Sequence, residues 1–416
     1  MRIAAVLLAS TLVVAACGSD DDGAATTGAV ETTVASTTAT TVADTSAATT
    51  AAATTTPPTD APTTAATTAA PTTTEPATVT PAELAAAGPY AVGVTTRTDP
   101  ALVAEEAPEL IEIWYPTTAD TTGATDGYNV RDFLPTVVAD LVPPETNSRF
   151  DVAARRDAAP AADGPFPVVL FSHGAVAFRT QSSEIARHLA SWGMVVASTD
   201  HPSRNLSNRL LGTAEGQRAS TDDLRQVRTY LDNLPTDDPL SGTLDMSQLA
   251  LAGHSAGGGT VAVVASDPGI AGYVSYASGL GDAAPDVPSL FMAGALDTIV
   301  DPIEVTTAAF EAAPPPSWLW LIDGAGHLAF SDLCAIGGDS TLVDLAESAG
   351  IGDLVDDSLR SLATDGCEPP NVPVGDVWPA VNQASTGFLR WVFGIDPEPV
   401  GLDASAVTPN VTVQSK

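Results

Sequence analysis

The chain has 416 residues, with 51 Asp and Glu against 16 Lys and Arg, a formal net charge of −35. That balance excludes a nucleic-acid binder working through a basic surface, because phosphate contacts need clustered Lys and Arg. It also leaves no charge to hold the protein on anionic lipid, and with 44% hydrophobic and 5% aromatic residues it suits a soluble, acid-surfaced globular domain.

Met1-Arg2 precedes an apolar run from Ile3 to Val14, the length of a signal-peptide core and short of the ~20 residues that span a bilayer. It ends in Val14-Ala15-Ala16-Cys17-Gly18-Ser19, which resembles the bacterial lipobox, where small residues precede a cysteine that is acylated and becomes the mature N-terminus. The resemblance implies that Cys17 carries lipid and tethers an exported protein to the outer face of a membrane, through buried methylenes at ~0.8 kcal/mol each. Without acylation the same segment would direct secretion. Residues 18–80 are dominated by Thr and Ala with scattered Pro, and contain no aromatic residue, Lys or Arg. Such a segment cannot bury enough apolar surface to offset its ordering entropy, so a disordered tether is expected. The organisation expected is signal and lipobox at 1–17, tether at 18–80, and one folded domain at 81–416.

In the folded part Ile111–Tyr115 alternates and reads as an antiparallel edge strand. Residues 120–163, polar and Pro-containing without a clean period, read as loop or insertion. After Pro167, short apolar runs at Val168–Ser172, Val195–Thr199, Leu249–Ala252, Tyr273–Tyr276, Leu290–Ala293 and Trp318–Ile322 read as strands. Helical patterns fall between them. Gln181–Trp192 has Ile185, Leu189 and Trp192 on one face and stops at Gly193, Thr221–Leu234 has Thr221 as its N-cap, and Gly258–Ala265 is Ala/Val-rich. The alternation predicts an α/β fold, a mostly parallel sheet flanked by helices.

Gly253-His254-Ser255-Ala256-Gly257 stands between a predicted strand and a predicted helix. That is the context in which G-x-S-x-G is a nucleophile elbow, with Ser255 exposed above the sheet at a helix N-terminus. A serine hydroxyl needs a base and a group to orient it. In the α/β-hydrolase order Ser, Asp, His, these are Asp297 and His327, both just past predicted strands, where open α/β sheets place their sites. Asp282 is the alternative acid. The oxyanion donors expected are the backbone N–H groups of Ala256 and of Ala175, the latter in the turn after Val168–Ser172. Among the other histidines, His254 reads as structural and directed away from the pocket, His188 as solvated, and His201 as a residue that could line the pocket. No spacing of His or Cys points to a metal, and no cofactor is expected.

Two stretches carry a resemblance. Phe171 to Thr180, with its Ser172-His173-Gly174, and Gly253 to Val261 look like the platelet-activating-factor acetylhydrolase group of α/β-hydrolases. Gly294 to Val300 and Asp323 to His327 are instead similar to the bacterial cutinase and polyester-hydrolase branch, close to dienelactone hydrolases. Both imply a metal-free serine esterase working through an acyl-enzyme, here on short to medium acyl or other neutral esters. The acetylhydrolase pattern places the acid after the strand that follows the nucleophile, and Tyr273–Leu280 has no carboxylate. The polyester-hydrolase pattern has an aromatic residue and a Met where Ala175 and Ala256 stand, so an aromatic polymer clamp is not implied. Cys334 and Cys367 are an even pair once Cys17 is lipidated, and an exported protein would bridge them, holding an insertion beside His327. A non-catalytic binding module of the same fold, or an acyltransferase using the same triad, are the alternative functions. The partner expected is a small-molecule or lipid ester, with a polyester or cutin-type polymer or a triacylglycerol as the alternative substrate, and the protein is expected to be a monomer.

Overall fold

A computed structural model describes residues 79–104, 107–146, 148–283, 285–338 and 340–416. Cys17, the apolar run before it and the tether as far as residue 78 lie outside the described residues. The folded part opens on Thr80, whose hydroxyl accepts from Glu83 N–H (3.3 Å) while the Glu83 carboxylate accepts from Thr80 N–H (2.7 Å). This reciprocal cap starts the short helix α1 (Pro81–Leu84).

The strands are β1 (Ala91–Ala104), β2 (Ala107–Thr117), β3 (Asp126–Asn129), β4 (Arg149–Val152), β5 (Arg155–Arg156), β6 (Phe166–Ser172), β7 (Val195–Thr199), β8 (Leu244–His254), β9 (Ile270–Tyr276), β10 (Ser289–Gly294), β11 (Ser317–Ile322) and β12 (Val411–Ser415). All but β3 and β4 form one 10-stranded sheet in the order β12-β11-β10-β9-β8-β6-β7-β2-β1-β5. Its centre, β7-β6-β8-β9-β10-β11, pairs parallel throughout and consists of the strands the apolar runs predict. The helices after α1 are α2 (Thr136–Ala139), α3 (Ser183–Ser191), α4 (Leu206–Leu211), α5 (Ser220–Asp232), α6 (Ala256–Val264), α7 (Ala308–Ala312), α8 (Leu342–Ser348), α9 (Asp357–Thr364) and α10 (Val374–Val392).

The pleat of the central strands sorts their side chains into two cores. Val169 and Phe171 face one side, with Ile185 and Leu189 of α3 and Val377, Val381 and Phe388 of α10. Val168 and Leu170 face the other, with Leu224 and Val227 of α5 and Val261 of α6. Apolar residues on both faces of a strand are what a parallel sheet covered on both sides requires. The fold is therefore the α/β-hydrolase arrangement. Strand β6 lies between β7 and β8, so the chain reverses direction across the sheet there and opens a crevice at the carboxyl ends of β6 and β8.

Four expectations are corrected. Ile111–Tyr115 does lie in an antiparallel strand, but β2 is flanked by β7 on one side and β1 on the other, so it is not an edge. The 120–163 stretch is not a plain loop. It holds the β3–β4 hairpin, α2 and β5, and Arg156 joins it to the sheet through Glu112 and Asp126, both at 2.5 Å. Thr221 is not the N-cap of α5, which begins at Ser220 after Ala219 and has no side-chain cap. His188 is buried rather than solvated, because its Nε2–H donates to the carbonyl of Leu84, the last residue of α1, at 2.9 Å.

Candidate active site

Ser255 ends β8 and starts α6 with φ 55° and ψ −124°, a conformation strained for any residue with a side chain. The elbow can close this tightly because of its glycines. A Cβ on Gly257 would stand 1.9 Å from the Ser172 carbonyl oxygen, and one on Gly253 would stand 2.3 Å from the Gly257 oxygen. Gly257→Ala is accordingly expected to cost more than about 4 kcal/mol, read as loss of soluble protein or a large fall in the urea midpoint. A wild-type midpoint would mean that β6 and α6 can separate at no cost.

His327 follows β11 and Asp297 follows β10, so the parallel order of the sheet brings both to the same end as Ser255. His327 Nδ1–H donates to Asp297 Oδ2 at 2.9 Å. The other carboxylate oxygen, Oδ1, accepts from the N–H groups of Ile299 and Val300, each at 2.8 Å. With Nδ1 protonated, His327 Nε2 carries a lone pair, and this atom is buried with no hydrogen-bond partner among the described residues. Ser255 and His327 line one cavity of about 150 Å³. Asp282, the alternative acid, is exposed on a turn.

The remaining predicted positions are distributed as follows. Ala175 lines the cavity in the turn after β6, and Ala256 is the first residue of α6. Cys334 and Cys367 are joined, closing a segment that contains α8 and α9. That segment contributes Leu342, Leu345, Ile351, Leu359 and Leu362 to the cavity, and the 120–163 insertion contributes Val130, Leu134, Val138 and Val142. Two insertions thus enclose an apolar chamber over Ser255. His201 does not face it. His201 Nδ1–H donates to Asp223 Oδ2 (3.0 Å) and its Nε2 accepts from Ser172 Oγ (2.9 Å), a second Ser-His-Asp set that is fully buried. This set holds the end of β6, and Arg204 ties it to α6 through Ser172 Oγ (2.6 Å) and Thr260 Oγ1 (2.7 Å). Burial draws the Arg204 guanidinium down to about 9. The Arg204 carbonyl accepts from the N–H of Val176 at 2.8 Å, fixing that residue at φ 55° in the turn that carries Ala175.

Sequence reasoning missed Asp365. Its Oδ1 accepts from His327 N–H at 2.5 Å and its Oδ2 from Thr298 N–H at 3.0 Å, so one carboxylate binds the loops of both His327 and Asp297. The signal was its position, two residues before Cys367. Among the described residues no group of three or more His, Cys, Asp or Glu is placed to hold a metal, and no helix is long and apolar enough to cross a membrane.

All five histidines are buried. Burial lowers His173 and His188 to about 3 and holds His254 well below its usual value. An unfolded histidine titrates near ~6.5, so below that pH the unfolded chain binds protons that the native state refuses. These groups therefore leave stability intact above about pH 6.5 and erode it as pH falls toward 3. The buried Asp332 carboxyl, raised by desolvation, works in the opposite sense. The urea midpoint is expected to drop between pH 7 and 4.5. A flat or rising midpoint over that range would show that the buried carboxyls, Asp332 and Asp223 (raised by burial to about 6), outweigh the histidines.

A family model described as platelet-activating factor acetylhydrolase, isoform II, matches residues 100–223, from β1 into α5 and across the Ala175 turn. The platelet-activating factor acetylhydrolase of Cavia porcellus is 28% identical over 192 residues, 36% of this chain and 42% of that protein. The chain thus spans about two fifths of the length of the curated relative it matches. On fold, elbow and this likeness, the chain is similar to the platelet-activating factor acetylhydrolases and has the α/β-hydrolase fold.

Proposed function

We propose that the protein is an exported, membrane-tethered hydrolase of carboxylic esters that works through an acyl-enzyme at Ser255. The observation that carries the reading is the His327–Asp297 pair, with its buried, unpartnered Nε2, in a residue that lines the same cavity as Ser255. In the first half-reaction Ser255 Oγ attacks the ester carbonyl carbon as its proton passes to His327 Nε2. The imidazolium is stabilised by Asp297, and the oxyanion is met by the N–H groups of Ala175 and Ala256 at the positive end of α6. Collapse of the adduct expels the alcohol, which takes its proton from His327. Water, deprotonated by His327, then releases the acid and restores Ser255.

The apolar lining supports neutral esters with a short to medium acyl chain, since each methylene withdrawn from water is worth ~0.8 kcal/mol. A chain carrying −35 would also disfavour anionic substrates. Export is supported by the apolar run Ile3–Val14 and tethering by the Cys17 lipobox, both in the sequence before the described residues. Hydrolysis of p-nitrophenyl esters from acetate to palmitate tests the reading. Rates should rise from acetate into the medium chains and fall for palmitate. A folded protein inactive on the whole series would sink the esterase, and product analysis with an added alcohol would separate hydrolysis from acyl transfer.

A further inference from the structure

The oxyanion turn after β6 and the His327 loop after β11 stand on opposite sides of the elbow, and a line of buried hydrogen bonds joins them. Gly174 N–H donates to Gln181 Oε1 at 2.8 Å. With Oε1 the acceptor, the side-chain amide can only present Nε2–H to its next neighbour, His254 Nδ1, at 2.5 Å. His254 is thereby fixed as the neutral Nε2–H tautomer, and Nε2–H donates to the backbone carbonyl of His327 at 3.0 Å. Gln181 and His254 are each 1% exposed, and the His254 and His327 rings lie 4.8 Å apart. The peptide that follows Gly174 is fixed from its other side. His201 N–H donates to His173 Nε2 (3.0 Å), so His173 Nδ1–H is the donor to the Gly174 carbonyl (2.8 Å). The Gly174 carbonyl and the Ala175 N–H share one planar peptide, so holding the first aims the second.

We propose that Gln181 and His254 are positioning residues. Together they form one relay that sets the Ala175 amide and the His327 imidazole at a fixed separation across Ser255. The inference rests on the ester-hydrolase reading. The relay borders the chamber and acts through Gly174 on the oxyanion donor and through the His327 carbonyl on the base. Its members are coupled because Gln181 selects the tautomer that His254 needs. Breaking either link frees both ends, and a displacement of about 1 Å at a catalytic group can cost ~10²-fold.

The test is steady-state hydrolysis of p-nitrophenyl butyrate by the full chain and its Gln181→Met, His254→Phe, double and His254→Gln variants. Gln181→Met and His254→Phe should each lower kcat by ~10²-fold with a much smaller change in KM, since the apolar side chains of the two insertions that line most of the chamber are kept. The double variant should be no worse than the worse single one. His254→Gln, which can accept from Gln181 and donate to the His327 carbonyl, should recover at least about ten-fold over His254→Phe. A merely structural role predicts instead additive losses, parallel falls in thermal stability and no rescue, and that result overturns the relay. Where an apolar variant does not fold, the wild-type histidine side-chain NMR spectrum decides: the Nε2–H tautomer at His254 supports the relay and the Nδ1–H tautomer overturns it. A wild type active on esters with indifferent relay variants would sink this inference alone. A folded wild type inactive on every ester would overturn the hydrolase reading and the relay with it.

Discussion

Ser255→Ala is expected to lower kcat/KM for p-nitrophenyl butyrate by at least ~10⁴-fold while leaving the urea midpoint within about 0.5 kcal/mol of wild type. The reason is local. Alanine keeps the Cβ that already sits at φ 55° and ψ −124°, and the Ser255 N–H still donates to the Tyr276 carbonyl at 2.8 Å, so the elbow keeps its shape and only the attacking oxygen is lost. The residual rate should reflect what the oxyanion amides and the apolar chamber supply without a nucleophile. Stopped-flow acylation makes the check direct, because the burst of p-nitrophenol should vanish with Ser255 Oγ. A burst surviving in the variant would place the nucleophile elsewhere and refute the proposed mechanism.

Asp297→Asn should be nearly as costly, ~10³–10⁴-fold in kcat, with the fold intact. The two backbone N–H groups of Ile299 and Val300 both point at Oδ1, and in the variant they select the amide oxygen for that place. The amide NH₂ then faces His327 Nδ1, which must accept instead of donate. His327 is left with its proton on Nε2, where it cannot take one from Ser255. Asp282→Asn, on an exposed turn, should match wild type in the same assay. If Asp297→Asn keeps kcat within ten-fold, the acid is another group, and Asp365, already bonded to the His327 N–H, becomes the first to test.

Much of this arrangement is legible without coordinates where short-range rules govern it. A strand with apolar residues on both faces reads as a continuous run, and the runs at Val168–Ser172, Leu249–Ala252 and Leu290–Ala293 all stand in the parallel centre. The elbow is legible because a backbone at φ 55° pressed against β6 demands glycine on either side of Ser255. The outer elements are not legible in the same way. β12 pairs with β11 across nearly ninety residues of intervening chain, and no local pattern encodes a partner that distant. α10 carries Pro379 in its interior, which masks a helical stretch whose Val377, Val381 and Phe388 meet the sheet.

The histidines mark the boundary between the two kinds of information. Sequence paired His327 with Asp297 from order and strand-end position, and the two are hydrogen-bonded at 2.9 Å; it read His254 as directed away from the pocket, whereas His254 lines the cavity because it also bonds the His327 carbonyl. Sequence could not give His188 its burial, which depends on the bond to the Leu84 carbonyl of α1, nor show that His201 belongs to a second, closed Ser-His-Asp set. By itself, then, the sequence determined the parallel centre, the elbow and the candidates Ser255, Asp297 and His327, because strand periodicity, turn stereochemistry and chain order are local or sequential properties. Only the tertiary structure decided the apolar chamber, the Asp365 clamp and the Gly174–Gln181–His254–His327 line, because each joins side chains from separate segments whose meeting depends on how the sheet and its insertions close in space.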